Sequence, residues 1–508
     1  MLIRSSILIS FFTLISRMLG YAREILMATV LGAGPIANAF HVAFRFANVF
    51  RSFFAEGAFT SSFVPIFTKK LNNEGIEKAS FYASQTFSML ILALIALSVI
   101  AEWQMDKIMT VLAPGFNNEP ELFNLAVTFA RITFPYLFFM SLSALFGGML
   151  SSVGKYSSIA ISPIILNLCM MVALVIKSDD KEYIGKLLSL SIVVSGCFQL
   201  VLVLYIAIKN KLFVKLVKPS LNSDTRKFLK TMIPGVLSAS VVQINLWVST
   251  SIATLFEKAV SLMYYSDRIV QLPLALIGTS ISMVLLPVLS KYQLTDSSKT
   301  NDIKNRTIEI TMLLTLPTVI IIIALAEPII VSTFEYGAFT KEDSQATANL
   351  MIIMTLALPA YILNKIFTPC FYSIHDTKTP FKVALMSLLL NIAVNMLFLG
   401  FHKTYLGIAI ASTISSWFNV TLLYCYLKRF DLIKFDKRLK RKLLANLFAC
   451  LILIAIMFLI IKINIALPTL ILTLIKVGIA YSAFIIIAFL FKAYDFTEIK
   501  GILIYRKK

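Results

Sequence analysis

Residues Ile15–Leu31 read ISRMLGYAREILMATVL, an apolar run of helix length with Arg17, Arg23 and Glu24 inside it. With the apolar residues before it, the segment 5–31 exceeds the roughly 20 residues that a helix needs to cross about 30 Å of hydrocarbon. An arginine at membrane depth costs about 2.5 kcal/mol or more, so it persists mainly where it faces a protein interior or a water-filled cavity. The next apolar segment repeats the anomaly, with Arg45, Arg51 and Glu56 before Pro65. Four arginines against two carboxylates leave positive charge in excess. A cavity lined in this way suits a large anion, and phosphate is the anion that guanidinium groups match best.

The rest of the chain places that stretch in context. Of 508 residues, 58% are hydrophobic and only 14% are charged, with a mean hydropathy of +0.84. A soluble protein carries about 25% charged residues. Uncharged runs of spanning length occur at Ala79–Ala101, Ile132–Gly154, Tyr156–Ile176, Leu187–Ile208, Thr231–Phe256, Ile269–Ser290, Val383–His402, Thr404–Leu427 and Leu443–Ile461. Segments 5–31, 36–66, 310–330, 344–372 and 464–491 are similar but carry an internal or flanking charge. The expectation is an all-α polytopic membrane protein with fourteen transmembrane helices. Met1–Ser16 has some features of a signal peptide, but Arg17 interrupts the apolar region and hydrophobicity continues to Leu31, so it reads as a retained first helix.

A net charge of +21 raises the possibility of nucleic acid, and its distribution argues against that. Lys209–Lys230 and Lys428–Lys442 are strongly basic, whereas Glu102–Glu121 and Glu327–Asp343 are acidic. These blocks alternate with the helix count as the positive-inside rule requires, placing both termini in the cytoplasm. Basic charge then records topology and contact with anionic membrane lipids. The five cysteines lie in apolar helices without paired or zinc-ligand spacing and read as core residues, and no metal site is expected.

The chain repeats itself. Val64-Pro65 matches Leu286-Pro287, Gly115-Phe116 falls opposite Gly337-Ala338, Pro135 corresponds to Pro359 and Asn167 to Asn391, at offsets of 222 to 224 residues. Loop character recurs in the same order. The reading is two six-helix lobes, 1–218 and 219–430, in the same orientation with a substrate site between them near the midplane. Residues 431–508 form an additional C-terminal helix pair and cytoplasmic tail. Pro135, Pro234, Pro273, Pro317 and Pro359 lie inside spans and are expected to bend them.

On the first helix Arg17 and Glu24, seven residues apart, share a face. On the second, Asn38, His41 and Arg45 form a stripe that Asn48 and Arg51 continue. The eighth opens with Met263-Tyr264-Tyr265-Ser266-Asp267-Arg268, with Gln271 a turn on. Pairing Arg17 with Glu24 and Arg268 with Asp267 accounts for two arginines and leaves others unpaired, which a solvated anion-accepting cavity resolves. His41 reads as a polar wall residue, Arg131 as an interface anchor, and Lys476 as a snorkelling or headgroup-facing residue. Asn391 and Asn395 read as interhelical hydrogen-bonding groups. The chain contains no Gly-x-x-x-x-Gly-Lys-Ser/Thr loop and no room for a catalytic domain between spans, so neither an internal ATPase nor an enzyme is expected.

At these residues the chain resembles the MurJ/MviN family of lipid II flippases, within the multidrug/oligosaccharidyl-lipid/polysaccharide exporter superfamily. The motifs that carry the resemblance are Arg17-Met-Leu-Gly-Tyr-Ala-Arg23-Glu24, Phe54-Ala-Glu56-Gly-Ala-Phe59 with Phe63-Val-Pro65, Ala113-Pro-Gly-Phe116, Thr133-Phe-Pro-Tyr136, Met263 to Arg268, Tyr336-Gly-Ala-Phe339, and Phe371-Tyr-Ser-Ile-His-Asp376-Thr-Lys-Thr-Pro380. The resemblance implies a central cationic cavity and a groove for a polyprenyl tail at the last two helices. It implies that Arg17, Arg23, Arg51 and Arg268 bind substrate, with Glu56 and Asp267 as accompanying acids; Glu24, Asn38, Arg45 and Asn48, from their places on the helix faces, are expected to support the cavity. The family often has Asp where this chain has Asn38, and helix 7 offers Gln243 and Asn245 where some members hold sodium. The implied cargo is lipid II, an undecaprenyl-pyrophosphate-linked peptidoglycan precursor, moved by alternating access. No cofactor is expected; the membrane potential is the expected driving force, the coupling ion is left open, and cell-wall synthesis proteins are candidate partners. The alternative on the same fold is an exporter of another polyprenyl-linked glycan or of drugs.

Overall fold

The computed structural model describes residues 2–51, 58–155, 157–176, 178–220, 222–292, 297–401, 404–463 and 465–493, with side chains described except at 2–10, 50–51, 58, 60–61, 157–158, 234–239, 279–280, 282–284, 292 and 297. Apolar runs without water-facing partners leave backbone groups to satisfy one another, and every regular element among the described residues is a helix. In chain order these are α1 (Leu2–Leu31), α2 (Pro35–Arg51), α3 (Ala58–Glu74), α4 (Ile76–Trp103), α5 (Met105–Leu112), α6 (Pro120–Thr133), α7 (Tyr136–Ser152), α8 (Ser157–Val175), α9 (Lys181–Lys209) and α10 (Ser223–Ala253). They continue as α11 (Ala259–Pro273), α12 (Ser280–Tyr292), α13 (Ser297–Ala324), α14 (Ala326–Phe334), α15 (Lys341–Thr355), α16 (Leu358–Tyr372), α17 (Lys378–Phe401), α18 (Leu406–Arg429), α19 (Lys437–Ile461) and α20 (Thr469–Leu490).

Among the described residues, nine stretches are long and apolar enough to cross a membrane, including Ile76–Trp103, Lys181–Lys209, Lys437–Ile461 and Thr469–Leu490. Their outer faces keep large apolar side chains exposed, Val99, Val201 and Phe458 among them. Contiguous apolar surface of this kind is rare on a protein bathed in water and normal on one bathed in lipid. The protein is a multi-pass membrane protein.

Local signals set the helix ends. Asp180 accepts from Glu182 and Tyr183 N–H groups to start α9, and Asp436 accepts from Leu439 N–H to start α19. Thr340 and Asp343 form a reciprocal capping box at α15. Of the expected proline bends, Pro135 separates α6 from α7, Pro359 opens α16 in its first turn, and Pro273 precedes a π-helical turn at Leu274–Thr279. Pro317 stays inside the continuous α13.

The chain forms two compact units. One comprises Met1–Ser261 with Tyr336–Phe339, the other Leu262–Glu335 with Thr340–Lys508. In the first, α1 packs on α8, α2 on α6, and α7 on α9. A ladder of stacked rings, Phe59, Phe63 and Phe67 at 5.5 Å spacing with Tyr82 against Phe63, ties α3 to α4. The loop residue Ala338 donates its N–H to the Thr29 carbonyl at 2.8 Å, near the end of α1.

In the second unit the last two helices are built into the core. Ile321 of α13 and Leu325, which links α13 to α14, bury against Ala449, Leu453 and Met457 of α19 and Ala480 and Phe484 of α20. A polar clasp fastens the segment before α19 to α13: Lys304 Nζ donates to Leu432 O at 2.7 Å, Asn305 Nδ2 donates to Lys434 O at 2.9 Å, and Arg306 pairs with Asp302, Glu309 and Asp436. Lys476 is buried rather than facing headgroups; it donates to the Ile461 carbonyl at 3.1 Å, at the C-terminal end of α19 where a cation is favoured. Asn395 bonds Asn391 within α17 rather than reaching another helix. Cys370 and Cys450 are core residues as expected, but Cys425 is exposed on α18.

Candidate functional site

The candidate residues of the first unit begin on α1. Arg17 is exposed, and its expected partner is taken elsewhere: Glu24 pairs with its immediate neighbour Arg23. The pair is deeply buried, with the Arg23 side chain 7% and the Glu24 side chain 2% exposed. Burying two charges costs several kcal/mol per ion unless further polar contacts offset it. Those contacts come from α8. Asn167 Oδ1 accepts from Arg23 Nη1 at 3.0 Å, and Met170 Sδ lies 3.4 Å from the same nitrogen. The Asn167 amide then donates to the Ser16 carbonyl at 2.9 Å, so one side chain spans two turns of α1. On α1, therefore, Arg17 is exposed and Arg23 is committed.

The polar stripe on α2 is present and has specific partners. Asn38 Oδ1 accepts from both the N–H and the hydroxyl of Ser261, at 2.9 and 2.6 Å. Ser261 lies in the first turn of α11, where helix N–H groups have no intrahelical acceptor, so Asn38 acts as a cap supplied by another helix. His41 is buried, edge-on to Phe40 with ring centroids 6.0 Å apart. Half-buried Arg45 donates to the Thr250 hydroxyl of α10, while Phe46 stacks on Phe134 at 5.2 Å. Asn48, also half-buried, lines a cavity between α2, α7, α8 and α9. Arg51 is the last residue of α2, but its side chain and all of Glu56 lie outside the described residues.

In the second unit Arg268 is half-buried on α11. Its guanidinium carbon sits 4.4 Å from the Tyr264 ring centroid, one turn earlier, and Nη2 donates to the Tyr264 hydroxyl. A cation over an aromatic face keeps its charge. Asp267 accepts from Gln271. The expected Arg17–Glu24 pairing is thus replaced, because side-chain direction on a helix selects partners that sequence spacing alone does not.

Sequence reasoning missed the partner roles of Asn167, Thr250, Ser261 and Tyr264. Asn167 had a signal in retrospect: a buried amide within an otherwise apolar span, expensive unless it is bonded. In the first unit Arg17 is exposed, Arg45 half-buried and Arg23 locked; in the second, Arg268 is half-buried. An exposed guanidinium such as that of Arg17 has the donor geometry that suits an oxyanion.

Comparison with known proteins places the chain. The family model described as lipid II flippase MurJ matches residues 27–478. A probable lipid II flippase MurJ of Rickettsia prowazekii (strain Madrid E) is 39% identical over 428 residues, covering 84% of this chain and 83% of the relative. The lipid II flippase MurJ of Burkholderia cenocepacia is 32% identical over 435 residues, 84% of each chain. A solved structure described as lipid II flippase MurJ in an inward closed conformation superposes with a TM-score of 0.81 at 26% identity, covering 96% of this chain and 98% of that one. An inward-facing multidrug resistance MATE transporter of the MOP superfamily shares the fold at a TM-score of 0.70 and 14% identity, covering 86% of this chain and 99% of that one. With a family model matching most of its length and relatives above 30% identity across more than four-fifths of it, this chain belongs to the lipid II flippase MurJ family.

Proposed function

We propose that this protein is a carrier that moves lipid II from the inner to the outer leaflet of the bacterial cytoplasmic membrane. Family membership supports the cargo, and one observation supports the means: arginines on membrane helices outnumber the acids that could neutralise them, and Arg17 is exposed. Arg17, Arg23, Arg51 and Arg268 form the substrate-binding set for the diphosphate, with Glu24, Asn38, Arg45, Asn48, Glu56 and Asp267 in support. Arg23 serves from a buried position and reaches cargo only when its bonds to Glu24 and Asn167 open. The reading includes fourteen membrane helices, two six-helix repeats over 1–218 and 219–430, a helix pair and tail over 431–508, and both termini in the cytoplasm.

A diphosphate-linked cargo is anionic. An inside-negative potential favours its outward passage by about 2.3 kcal/mol per charge per 100 mV, which supplies direction without ATP. The test is replacement of a known flippase in a depletion strain, with the leaflet distribution of lipid II as readout. Restored growth with lipid II reaching the outer leaflet supports the reading; accumulation in the inner leaflet at normal protein abundance overturns it.

A further inference from the structure

The first unit contains a cavity of about 370 Å³ walled by four helices. Asn48 comes from α2, Ser143 and Ala144 from α7, Leu166 from α8, and Gln199 and Val203 from α9. Its size falls near the lower end of the range of about 300–1,000 Å³ typical of ligand pockets. Gln199 is the informative residue. It is 1% exposed, and among the described residues its one hydrogen bond is a 3.4 Å contact from Nε2 to Ser195 Oγ one turn earlier in the same helix. Among the described residues no donor reaches its amide oxygen, and the side chain lines the cavity. A buried amide in a membrane helix is costly when left unsatisfied. Ser143, 7% exposed, has spent its proton on the Phe139 carbonyl and keeps acceptor capacity on its oxygen.

The lining also states what kind of molecule would satisfy these groups. None of the described lining residues carries a charge at neutral pH, so an ion would enter without compensation. The amide offers both a donor and an acceptor, and apart from the few amides and hydroxyls the walls are aliphatic or aromatic. We propose that this cavity is a binding site for a neutral amphiphile, a membrane-derived molecule with an uncharged hydroxyl- or carbonyl-type head on Gln199 and a short apolar chain along α7 and α8. The cavity shares Asn48 with the proposed substrate set but none of the described arginines lines it, and its test does not depend on the identity of the cargo.

The experiment uses the full-length protein in phosphatidylcholine nanodiscs with the photoreactive alkanol 3-azioctanol, mapping adducts by mass spectrometry. Saturable labelling of the cavity-lining segments of α7, α8 and α9 is expected, displaced by 1-octanol and at least tenfold less effectively by octanoate. Ala144→Phe, which fills the space, and Gln199→Leu, which removes the head contact, should each lower that labelling at least fivefold. Gln199→Leu should melt at the same temperature as the parent or higher, since it removes an unsatisfied amide; a merely structural glutamine would show the opposite. Labelling spread evenly over lipid-facing helices, equal competition by octanoate, or undiminished labelling in Gln199→Leu would each overturn the proposal. Should Ala144→Phe fail to fold, Gln199→Leu alone decides.

Discussion

Asn167 on α8 accepts a 3.0 Å hydrogen bond from the guanidinium of Arg23 on α1, across 144 residues of sequence. That contact divides two arginines which sequence reading treated alike. Arg17 is exposed, whereas Arg23 is enclosed by Glu24, Asn167 and Met170.

Arg17→Ala and Arg23→Ala should therefore both abolish complementation in a flippase-depletion strain, for different reasons. Removing Arg23 leaves Glu24 buried without its ion-pair partner, a loss of about 3–5 kcal/mol for broken buried pairs. Thermal melting of the purified protein should drop clearly for Arg23→Ala and stay near the parent for Arg17→Ala. Equal melting temperatures for the two variants would show that the Arg23–Glu24 pair contributes nothing to the fold. Arg17→Lys should rescue transport poorly, because a point charge replaces a planar fork.

Asn167→Ala removes the acceptor for Arg23 and the donor to Ser16 together. A hydrogen bond to a charged group is worth about 1.5–3 kcal/mol, so this variant should fall between the two arginine variants in melting temperature. A melt indistinguishable from the parent would count against the clasp.

Asn38 should tolerate replacement by other capping residues. Its role is to accept from Ser261 N–H in the first turn of α11, and Ser or Asp serve that role as well as Asn. Asn38→Asp should remain active, with the carboxylate also favoured at a helix N-terminus. Asn38→Leu uncaps the helix and should cost about 0.5–2 kcal/mol. Complementation and melting of the three variants check the order; loss of function in Asn38→Asp at normal abundance would overturn it.

Gly115 and Gly337 should not accept alanine. A Cβ on Gly115 would lie 1.9 Å from the Thr254 carbonyl oxygen, and one on Gly337, at φ +60°, 2.3 Å from the Thr29 carbonyl oxygen. Both obstacles are backbone, which has no rotamer with which to yield. Gly75→Ala meets only open space and carries just the cost of its φ of +85°. Growth complementation should fail for the first two and persist for Gly75→Ala.

Asp376 predicts an acid-sensitive helix start at α17. Burial alone would push its carboxyl up, but hydrogen bonds from Thr379 and the Lys378 N–H, with the Lys378 charge, hold it below the usual carboxylate value of 3.8. A depressed carboxylate contributes stability that is present above its unfolded value and is lost as pH falls through the folded one. Acidification below about pH 4 should therefore remove this contribution from the parent, and the melting temperatures of parent and Asp376→Asn should converge there. A gap between them that persists unchanged to pH 2 would refute the assignment.

Much of this was legible in advance for a physical reason. Hydrocarbon offers backbone groups no partner, so an apolar run of spanning length admits little but helix, and runs such as Ala79–Ala101 and Leu443–Ile461 fall inside α4 and α19. Charges within such runs are equally visible, because each is costly wherever it ends up. The motif order that carried the family resemblance is likewise a property of the chain alone.

The partners of those charges were not legible. Spacing on one helix paired Glu24 with Arg17, yet Glu24 took Arg23 because α8 presents Asn167 and Met170 to that guanidinium. The packing of the C-terminal helix pair was not legible either: Ile321 of α13 and Leu325 after it bury against the pair, and Lys304 and Arg306 fasten its approach. The sequence by itself determined a polytopic helical membrane protein with surplus arginine in its spans, since those follow from the cost of polar groups in lipid. Only the tertiary structure decided which arginine is locked and which is open, because that depends on what a helix more than a hundred residues away places against it.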